Sequence, residues 1–405
     1  MEPVGQHSRH RTVRTMRDVV EQEPLMLGLM FPQGQGAWTA SLIPIETRIE
    51  WNYLEELAVL ADRGGLDYLF MGNGYYAKGG YGGIGRVRAA GLDATTVAMA
   101  LASVTQRLLL ISTIHTAYHA VHPLFFAKMG ATLDYISNGR WGPNLVAGIS
   151  ELNARHFGTA WFDHDERYVF ADEFTTVLKR LWSDPEPVTF QGQYVKTESA
   201  WMEPKPTRLP LMVNAGVSDV GLEFAARHCD WVFDAFGLDG DTPETSAIRA
   251  RIARIKGFGR RHGKELKVAV CVYVICRETE AEAERAFAEI ATHADLEAIQ
   301  AMRSPGALVD PKGSEAFRRM SESSLGNAAI WNMYKVQGNP EQVAEGLAAL
   351  KAQGIDCLNL VFCNYVSELR FFVDRVLPLL QQAGLRLEQN GAPRNTGELS
   401  QTERD

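Results

Sequence analysis

Residues 138–148 read NGRWGPNLVAG and indicate the fold more directly than any other segment. This segment opens with a glycine-containing turn and continues as a short apolar strand that ends before the polar break ISE at 149–151. Asn144 lies among apolar neighbours, and a buried amide left without a partner costs on the order of 1–3 kcal/mol. The preceding residues 123–137 carry apolar side chains at helical spacing. Helix, turn, strand and a polar residue at the strand end together indicate one unit of a βα-barrel.

Strands alternate with helices along the rest of the chain. The strand candidates are Leu25–Phe31, Tyr68–Met71, Leu108–Ile114, Trp141–Ala147, Leu211–Ala215, Trp231–Phe236, Val268–Ile275 and Cys357–Phe362. The predicted helices are Thr47–Arg63, Asp93–Thr105, Pro123–Ser137, Glu166–Trp182, Asp219–His228, Glu244–His262, Glu280–Met302, Pro340–Gln353 and Val366–Gln382. Such alternation implies a parallel sheet and predicts an α/β fold, the (β/α)8 TIM barrel. A doubly wound sheet is the alternative, weakened because no glycine-rich dinucleotide fingerprint follows the first strand.

Four insertion segments interrupt the alternation: 32–46, 73–92, the predicted hairpin Val188–Ala200 and the irregular excursion Met302–Lys335. We expect all four at the carboxyl ends of strands, the C-terminal face where barrel enzymes build their sites. The barrel is expected over residues 24–385. Residues 1–23 are predicted to form a flexible tail, and the polar residues 386–405 a disordered one.

Composition narrows the class of protein. The chain has 405 residues, 46% of them hydrophobic, and a net charge of −8, which argues against a nucleic-acid partner. No apolar run reaches the ~18–20 residues that span a bilayer, and the polar N-terminus lacks the apolar core of a signal peptide. The five cysteines form no C-x-x-C pair, which favours reduced, buried thiols. These features predict a cytoplasmic enzyme with no membrane partner.

Four segments carry a resemblance to a known family: HPLFFAKMGATLDYISNGRWGPNLVAG, ERYVFADEFTTVLKRLW, LMVNAGVSDVGLEFAARHCDWVF and NPEQVAEGLAALKAQGIDCLNLVF. They occur in order between Leu25 and Leu385, and the chain resembles the bacterial luciferase-like, flavin-dependent monooxygenases. The opening LGLMFPQGQGAW and the N-L-V-x-G segment at Asn144 resemble most the group that contains the pyrimidine ring-opening, sulfone and aminopolycarboxylate monooxygenases.

The resemblance implies a two-component enzyme with FMN as cofactor, received as FMNH2 from a separate NAD(P)H:flavin reductase, and O2 as co-substrate. Such an enzyme oxygenates a small organic molecule, for example a heterocycle or a sulfone, through a flavin-peroxide. A homodimer or homotetramer is also expected. Two alternatives stay open: an F420-dependent oxidoreductase of the same fold, and a flavin-binding protein without turnover.

The resemblance also assigns residues. The expected catalytic residues from the resemblance are Asn144 and Thr113, on the oxygen side of the flavin. His115 is added to them because it lies in a loop at the barrel mouth together with Tyr118, His119 and His122. The expected cofactor-binding residues are Met71, Gly72, Thr113, Asn144, Asn153, Arg167, Tyr168, Gly216 and Ser218. Of these, Asn153 stands where the pyrimidine-opening relatives carry a glutamate near the flavin. The tryptophan that follows the strand-four glycine in those relatives is Ile149 here, which indicates a different substrate. The turn from Gly216 to Ser218 opens a helix and offers N–H groups to an anion, although by itself a serine there is only a helix-cap signal. The resemblance implies that this turn binds the FMN phosphate.

The mouth loops carry aromatic residues and histidines. The expected substrate-pocket residues are Trp38, Tyr75, Tyr76, Tyr118 and His119, although loop packing explains each of them equally well. The spacing of His115, His119 and His122 could also indicate a metal site. No acidic or thiol residue lies nearby in the sequence, so no metal is predicted.

Overall fold

The computed structural model describes residues 16–234, 245–303 and 323–387. Its strands are β1 (Met26–Met30), β2 (Tyr68–Met71), β3 (Leu109–His115), β4 (Trp141–Val146), β5 (Val188–Gln191), β6 (Lys196–Ala200), β7 (Val213–Asn214), β8 (Trp231–Asp234), β9 (Lys267–Cys276), β10 (Tyr334–Gly338) and β11 (Cys357–Val361). Its helices are α1 (Met16–Val20), α2 (Trp51–Gly64), α3 (Ala94–Val104), α4 (Pro123–Ser137), α5 (Glu151–His156), α6 (His164–Ser183), α7 (Asp219–His228), α8 (Thr245–Arg261), α9 (Glu280–Thr292), α10 (Leu296–Arg303), α11 (Leu325–Ala329), α12 (Pro340–Ala352), α13 (Tyr365–Arg375) and α14 (Leu377–Gln382). Among these residues, no helix combines the length and apolar character needed to cross a membrane.

Parallel strands close into a barrel in the order β9, β11, β1, β2, β3, β4, β7, β8 and back to β9. Helices connect these strands, so the predicted (β/α)8 TIM barrel is confirmed. The strands are buried on both faces, as the unbroken burial of β1, β3 and β11 shows. This explains why they read as continuous apolar runs rather than as alternating polar and apolar residues.

Residues 138–148 anchor one strand to the helices below it. Asn138 ends α4 in a left-handed conformation (φ 56°), and Gly139 follows at φ 76°, where a glycine meets no steric penalty. The buried guanidinium of Arg140 then donates to the hydroxyl of Thr105 (3.0 Å) and the carbonyl oxygen of Leu108 (2.8 Å). These bonds fix the start of β4 against the end of α3 and the start of β3.

The register of β3 and β4 places the polar side chains of the two strands together. Thr113 lies directly beside Asn144. Trp141 faces outward, since its ring packs on Gly130 of α4: a methyl group added at Gly130 would come within 2.6 Å of the ring. Side chains alternate along a strand, so Asn144, three residues on, faces the barrel interior.

The loops 32–46 and 73–92 follow β1 and β2, as expected for insertions at the C-terminal face. Gly34 forms an antiparallel bridge with Gly91. The backbone N–H of Arg88 donates to the carbonyl oxygen of Gln35 (2.9 Å). The two loops therefore pack as one unit over this side of the mouth.

The hairpin Val188–Ala200 forms as predicted, with β5 and β6 antiparallel. Its location differs from our expectation, because it joins α6 to β7 instead of following a strand. The backbone N–H groups of Gln193 and Tyr194 donate to the carboxylate of Glu173 on α6 (2.7 and 2.8 Å). The hairpin therefore packs along α6.

A further parallel strand, β10, begins at Tyr334, near the end of the segment Met302–Lys335 that the sequence predicted to be irregular. The long strand β9 pairs first with β8, at Lys267, and then with β10, from Val272 onward. Strand β10 thus covers the part of β9 that the shorter β8 does not reach. Residues 304–322 of this excursion lie outside the described residues.

Two helices predicted as continuous are divided, and the short helices α1, α5 and α11 were not predicted. Helices α9 and α10 separate where Ala294 bridges to Ser41 of the loop after β1. Helices α13 and α14 separate at Val376, two residues before a proline, where a helix is disfavoured. Helix α5 follows β4 and carries Asn153, which lies in none of the predicted helices or strands.

Ordered structure extends past both expected boundaries of the barrel. Helix α1 lies within the predicted N-terminal tail. Arg386, placed in the predicted C-terminal tail, is 4% exposed and donates to the carboxylate of Asp67 and to the carbonyl oxygen of Gly65 (2.9 Å). The remaining tail residues, 1–15 and 388–405, lie outside the described residues.

Candidate active site

Two polar side chains meet inside the carboxyl end of the barrel. The Nδ2 of Asn144 donates to the Oγ1 of Thr113 at 3.0 Å. Asn144 is 2% exposed, and its Oδ1 has no hydrogen-bond partner among the described residues. The hydroxyl of Thr113 accepts from Asn144 with one of its two lone pairs, and its proton remains available to donate. The pair therefore presents one buried acceptor and one buried donor, groups that a bound ligand would satisfy.

His115 ends β3 two residues after Thr113 and is buried. Its Nε2 lies 2.9 Å from the carbonyl oxygen of Asn73. A carbonyl oxygen only accepts, so Nε2 carries the proton and Nδ1 keeps its lone pair. Burial lowers the pKa of His115, which keeps the ring neutral, and Nδ1 has no partner within the part of the chain that the structure describes. His115 thus offers a second buried acceptor next to the Asn144 pair.

The turn between β7 and α7 packs its glycine against a tyrosine. The side chain of Asn214 accepts from the backbone N–H of Gly216 (2.8 Å) and donates to the carbonyl oxygen of Leu145 (2.6 Å). A methyl group added at Gly216 would overlap the hydroxyl oxygen of Tyr168. Burial raises the pKa of Tyr168 to about 12, so this phenol stays protonated. The turn thus depends on glycine at this position.

Ser218 opens α7, and its Oγ accepts from the backbone N–H of Gly221 (3.2 Å). The same oxygen lies 3.3 Å from Nε2 of His164, at the start of α6. Asp219 in the first turn of α7 is paired with Arg254 at 2.7 Å. A helix N-terminus attracts anions, and Arg254 offsets the acidic side chain beside it. The turn is therefore suited to a phosphate group.

Arg167 and Tyr118 support the loop that follows β4. The guanidinium of Arg167 lies 4.0 Å from the ring centroid of Trp161 and donates to the carbonyl oxygen of Phe162 (2.8 Å). The buried hydroxyl of Tyr118 accepts from the backbone N–H groups of residues 149 and 150 at 2.8 and 2.9 Å. Their predicted roles, in cofactor and substrate binding, stay predictions.

Asn153 joins this loop to the opposite side of the mouth. Its side chain is buried and donates to the carbonyl oxygen of Tyr75 in the loop after β2. The ring of Tyr75 packs edge-on against Phe157 (centroids 4.7 Å apart) and lies 6.2 Å from the ring of His115. The structure therefore gathers Asn153, Tyr75 and His115 at one edge of the site.

The remaining predicted residues divide between the mouth and its rim. Met71 is buried in the core, while Gly72, at the end of β2, meets the indole of Trp38, 3.4 Å from an added methyl group. Tyr76 packs against Tyr81 in the loop after β2 (centroids 5.4 Å). His119 is exposed and packs on Phe170 of α6 (4.5 Å). Its predicted contact with substrate has no support from this position.

A model of the family described as luciferase-like monooxygenase matches residues 26–357. The chain belongs to the luciferase-like monooxygenase family. It is 29% identical, over 94% of its length and 100% of the relative's, to an FMNH2-dependent dimethylsulfone monooxygenase of Pseudomonas fluorescens. It is 28% identical to a pyrimidine monooxygenase of Acinetobacter baylyi, covering 88% and 95% of the two chains. Its fold matches that of the EDTA monooxygenase of a Chelativorans species, with a TM-score of 0.75 at 24% identity and coverage of 89% and 94%.

The residues of this luciferase-like monooxygenase fit a flavin mononucleotide. The buried, unpaired Oδ1 of Asn144 needs a donor, and the reduced isoalloxazine ring carries N–H groups. The Gly216–Ser218 turn leaves no room for a side chain at Gly216 and presents a helix N-terminus to an anion. Groups for the ring and for the phosphate are thus both present, at the ends of β4 and β7.

Sequence reasoning missed three residues of this site. Asn214 ends β7, whereas Asn144 lies within β4, two residues before its end. The same signal, a polar residue in an apolar run, could have found Asn214. His164 reaches Ser218 from the start of α6, but its position depends on where the helix begins. Gln33 donates to the carbonyl oxygen of Gly72 from the loop after β1, and no local pattern singled it out.

Proposed function

We propose that the chain is an FMNH2-dependent monooxygenase that receives its reduced flavin from a separate flavin reductase. It transfers one oxygen atom of O2 to a small organic substrate. The observation that carries this proposal is the buried Asn144–Thr113 pair, an unused acceptor beside an unused donor at the carboxyl end of the barrel. The FMNH2-dependent relative that aligns over nearly the whole chain supports the same cofactor.

Each site residue has a task that its geometry supports. Bound reduced FMN supplies the electrons that activate O2. Asn144 orients the ring through its free Oδ1, and the Thr113 hydroxyl donates to negative charge that develops on oxygen. His115 holds a lone pair at Nδ1 and accepts a proton there. The helix start at Ser218 binds the phosphate group.

The mouth of the barrel is suited to excluding water. Tyr75 and Phe157 pack edge-on beside His115, and Asn153 ties the loop after β2 to the loop after β4. The loops after β1 and β2 are joined by backbone hydrogen bonds. A dry site keeps reduced flavin and activated oxygen from being lost to hydrogen peroxide, which is the side reaction such an enzyme must suppress.

A coupled assay tests the proposal. The full chain is mixed with a flavin reductase, NADH, FMN and a panel of sulfones, pyrimidines and organic acids under 18O2. We expect one labelled oxygen atom in an organic product for at least one panel member, together with O2 uptake that depends on FMN. Uptake that yields only hydrogen peroxide with every compound would instead favour a flavin-binding protein without turnover.

An F420-dependent oxidoreductase is the second candidate, because it shares the fold. It transfers hydride and needs no oxygen pocket, so an oxygen-independent reduction of substrate by F420H2 would favour it.

Assembly into a homodimer or homotetramer stays a prediction, which sedimentation equilibrium of the FMN-loaded chain tests.

A further inference from the structure

Arg88 is a buried cation that the proposed chemistry does not use. It lies in the loop after β2 and is 7% exposed. The carbon of its guanidinium lies 3.9 Å from the ring centroid of Trp38 and 5.3 Å from that of Trp331. Its backbone N–H donates to the carbonyl oxygen of Gln35 (2.9 Å). Two indole rings and the backbone therefore hold the side chain in place.

Two of the three guanidinium nitrogens of Arg88 have no hydrogen-bond partner within the described part of the chain. Its Nε and Nη2 are buried and form no hydrogen bond, and no described carboxylate pairs with it. Other buried arginines are treated differently: Arg140 donates to backbone carbonyl oxygens and Arg386 to Asp67. Contacts with aromatic rings recover only part of the cost of burying a charge. A ligand that brings negative charge would satisfy this site.

The unpaired atoms define the shape of that ligand. Nε–H and one Nη2–H point the same way from one edge of the planar guanidinium, an arrangement that matches two oxygen atoms of one anionic group. The chain itself uses this edge elsewhere, where Nε and Nη2 of Arg251 grip the two carboxylate oxygens of Asp234 (Nη2 to Oδ1, 2.7 Å). Arg88 presents the same edge without its carboxylate.

Arg88 belongs to the mouth of the proposed active site. The indole of Trp38, on which it stacks, also lies against Gly72 at the end of β2. The next residue, Asn73, accepts from His115. Gln33 donates to the carbonyl oxygen of Gly72, and its own Oε1 is buried without a partner among the described residues. In the order of strands, β3 and β4 separate this group from the Ser218 turn that follows β7.

We propose that Arg88 binds an anionic group that presents two oxygen atoms to it, a carboxylate or a sulfonate, on the substrate of the enzyme. The inference rests on the proposed function for the identity of the bound molecule as substrate. It narrows that function, because it makes the substrate a small organic acid rather than a neutral sulfone or heterocycle. The acid group is held on the β1–β2 side of the mouth, away from the phosphate turn.

The test compares charged and neutral probes of similar shape on the full, FMN-loaded chain. Methanesulfonate is paired with dimethyl sulfone, and acetate with acetamide, and binding is measured by calorimetry. Charge-assisted hydrogen bonds predict that at least one anion binds about tenfold or more tightly than its neutral partner. Arg88→Met should remove this preference. Arg86→Met, which deletes an exposed arginine of the same loop, should keep it.

Further measurements separate the possible failures. FMN affinity should be unchanged in Arg88→Met, and its loss without loss of anion preference would assign Arg88 to the cofactor and overturn the inference. Arg88→Lys keeps the positive charge but loses the paired N–H groups of the guanidinium edge, and it replaces Arg88→Met if that variant fails to fold. An anion preference in Arg88→Lys equal to that of the wild type would then contradict the proposal. No anion preference in the wild-type chain would also overturn it. If the wild-type chain binds no FMN, that result contradicts the proposed function and not the role of Arg88. The anion titration of the FMN-free chain then still tests whether Arg88 binds an anion.

Discussion

Asn144 and Thr113 share a buried hydrogen bond, and the two residues differ in what their loss leaves behind. Thr113→Val keeps the shape but leaves the Nδ2 of Asn144 without an acceptor. A buried donor left unpaired costs about 1–3 kcal/mol, so we expect the free energy of unfolding to fall by this amount. The double variant Asn144→Leu/Thr113→Val removes both polar groups and should be less destabilised than Thr113→Val alone. Urea unfolding of the wild type, Thr113→Val and the double variant measures these differences in the free energy of unfolding.

The same variants report on oxygen chemistry. We expect Asn144→Leu and Thr113→Val to retain FMN but to release more hydrogen peroxide for each O2 consumed. Ser112→Ala is the matched control, since Ser112 is a buried hydroxyl one residue away that accepts from the indole of Trp141 (2.9 Å) on the outer face. It should lose stability without losing coupling. If both Asn144→Leu and Thr113→Val form as much product per O2 consumed as the wild type, the two residues have no role on the oxygen side of the flavin.

His115 makes the stability of the barrel depend on pH. Burial lowers its pKa below the value of 6.5 for an exposed histidine. The folded state therefore binds fewer protons than the unfolded state, and stability is lost as the pH falls through 6.5 toward the lower folded pKa. We expect the free energy of unfolding to drop more between pH 7.5 and 5.5 in the wild type than in His115→Gln. Equal drops would show that His115 is not the titrating group.

At the scale of elements, the β7–α7 turn depends on the contact between Gly216 and Tyr168. Gly216→Ala places a methyl group on the tyrosine hydroxyl and should displace the turn, weakening FMN binding. Tyr168→Phe removes that hydroxyl, so the double variant should recover part of the affinity. Fluorescence titration with FMN measures all three. If Gly216→Ala binds FMN as the wild type does, the turn is not the phosphate site.

The sequence predicted most elements because their patterns are local. Pro123–Ser137 and Asp219–His228 match their helices to the residue, since a proline at the first turn and a serine cap mark their starts. Strand β10 was missed because it forms only against the end of β9, whose length exceeds that of β8. The hydrogen bond between Thr113 and Asn144 could not be read from the sequence, because it follows from the register of the two strands in the barrel. The position of the Arg88 side chain could not be read either, because it depends on two tryptophans that are far apart in the chain.

At the scale of the whole molecule, Arg386 joins the C-terminal segment to the barrel. It donates to Asp67, whose carboxylate also accepts from the backbone N–H of Leu27 in β1 (2.7 Å). Removing one partner of a buried ion pair costs about 3–5 kcal/mol. A chain ending at Leu385 should therefore unfold at a lower urea concentration than one ending at Leu387. Equal midpoints would place the boundary of the barrel before Arg386, as the sequence had predicted.

The site at the carboxyl end of this barrel is proposed to bind reduced FMN for reaction with oxygen. Anaerobic equilibrium titration of the full chain with FMNH2 and, separately, with F420H2 tests this proposal most directly. We predict saturable binding of FMNH2 that is weakened in Gly216→Ala, and weaker binding of F420H2. Saturable binding of F420H2 with none of FMNH2 would contradict the proposal.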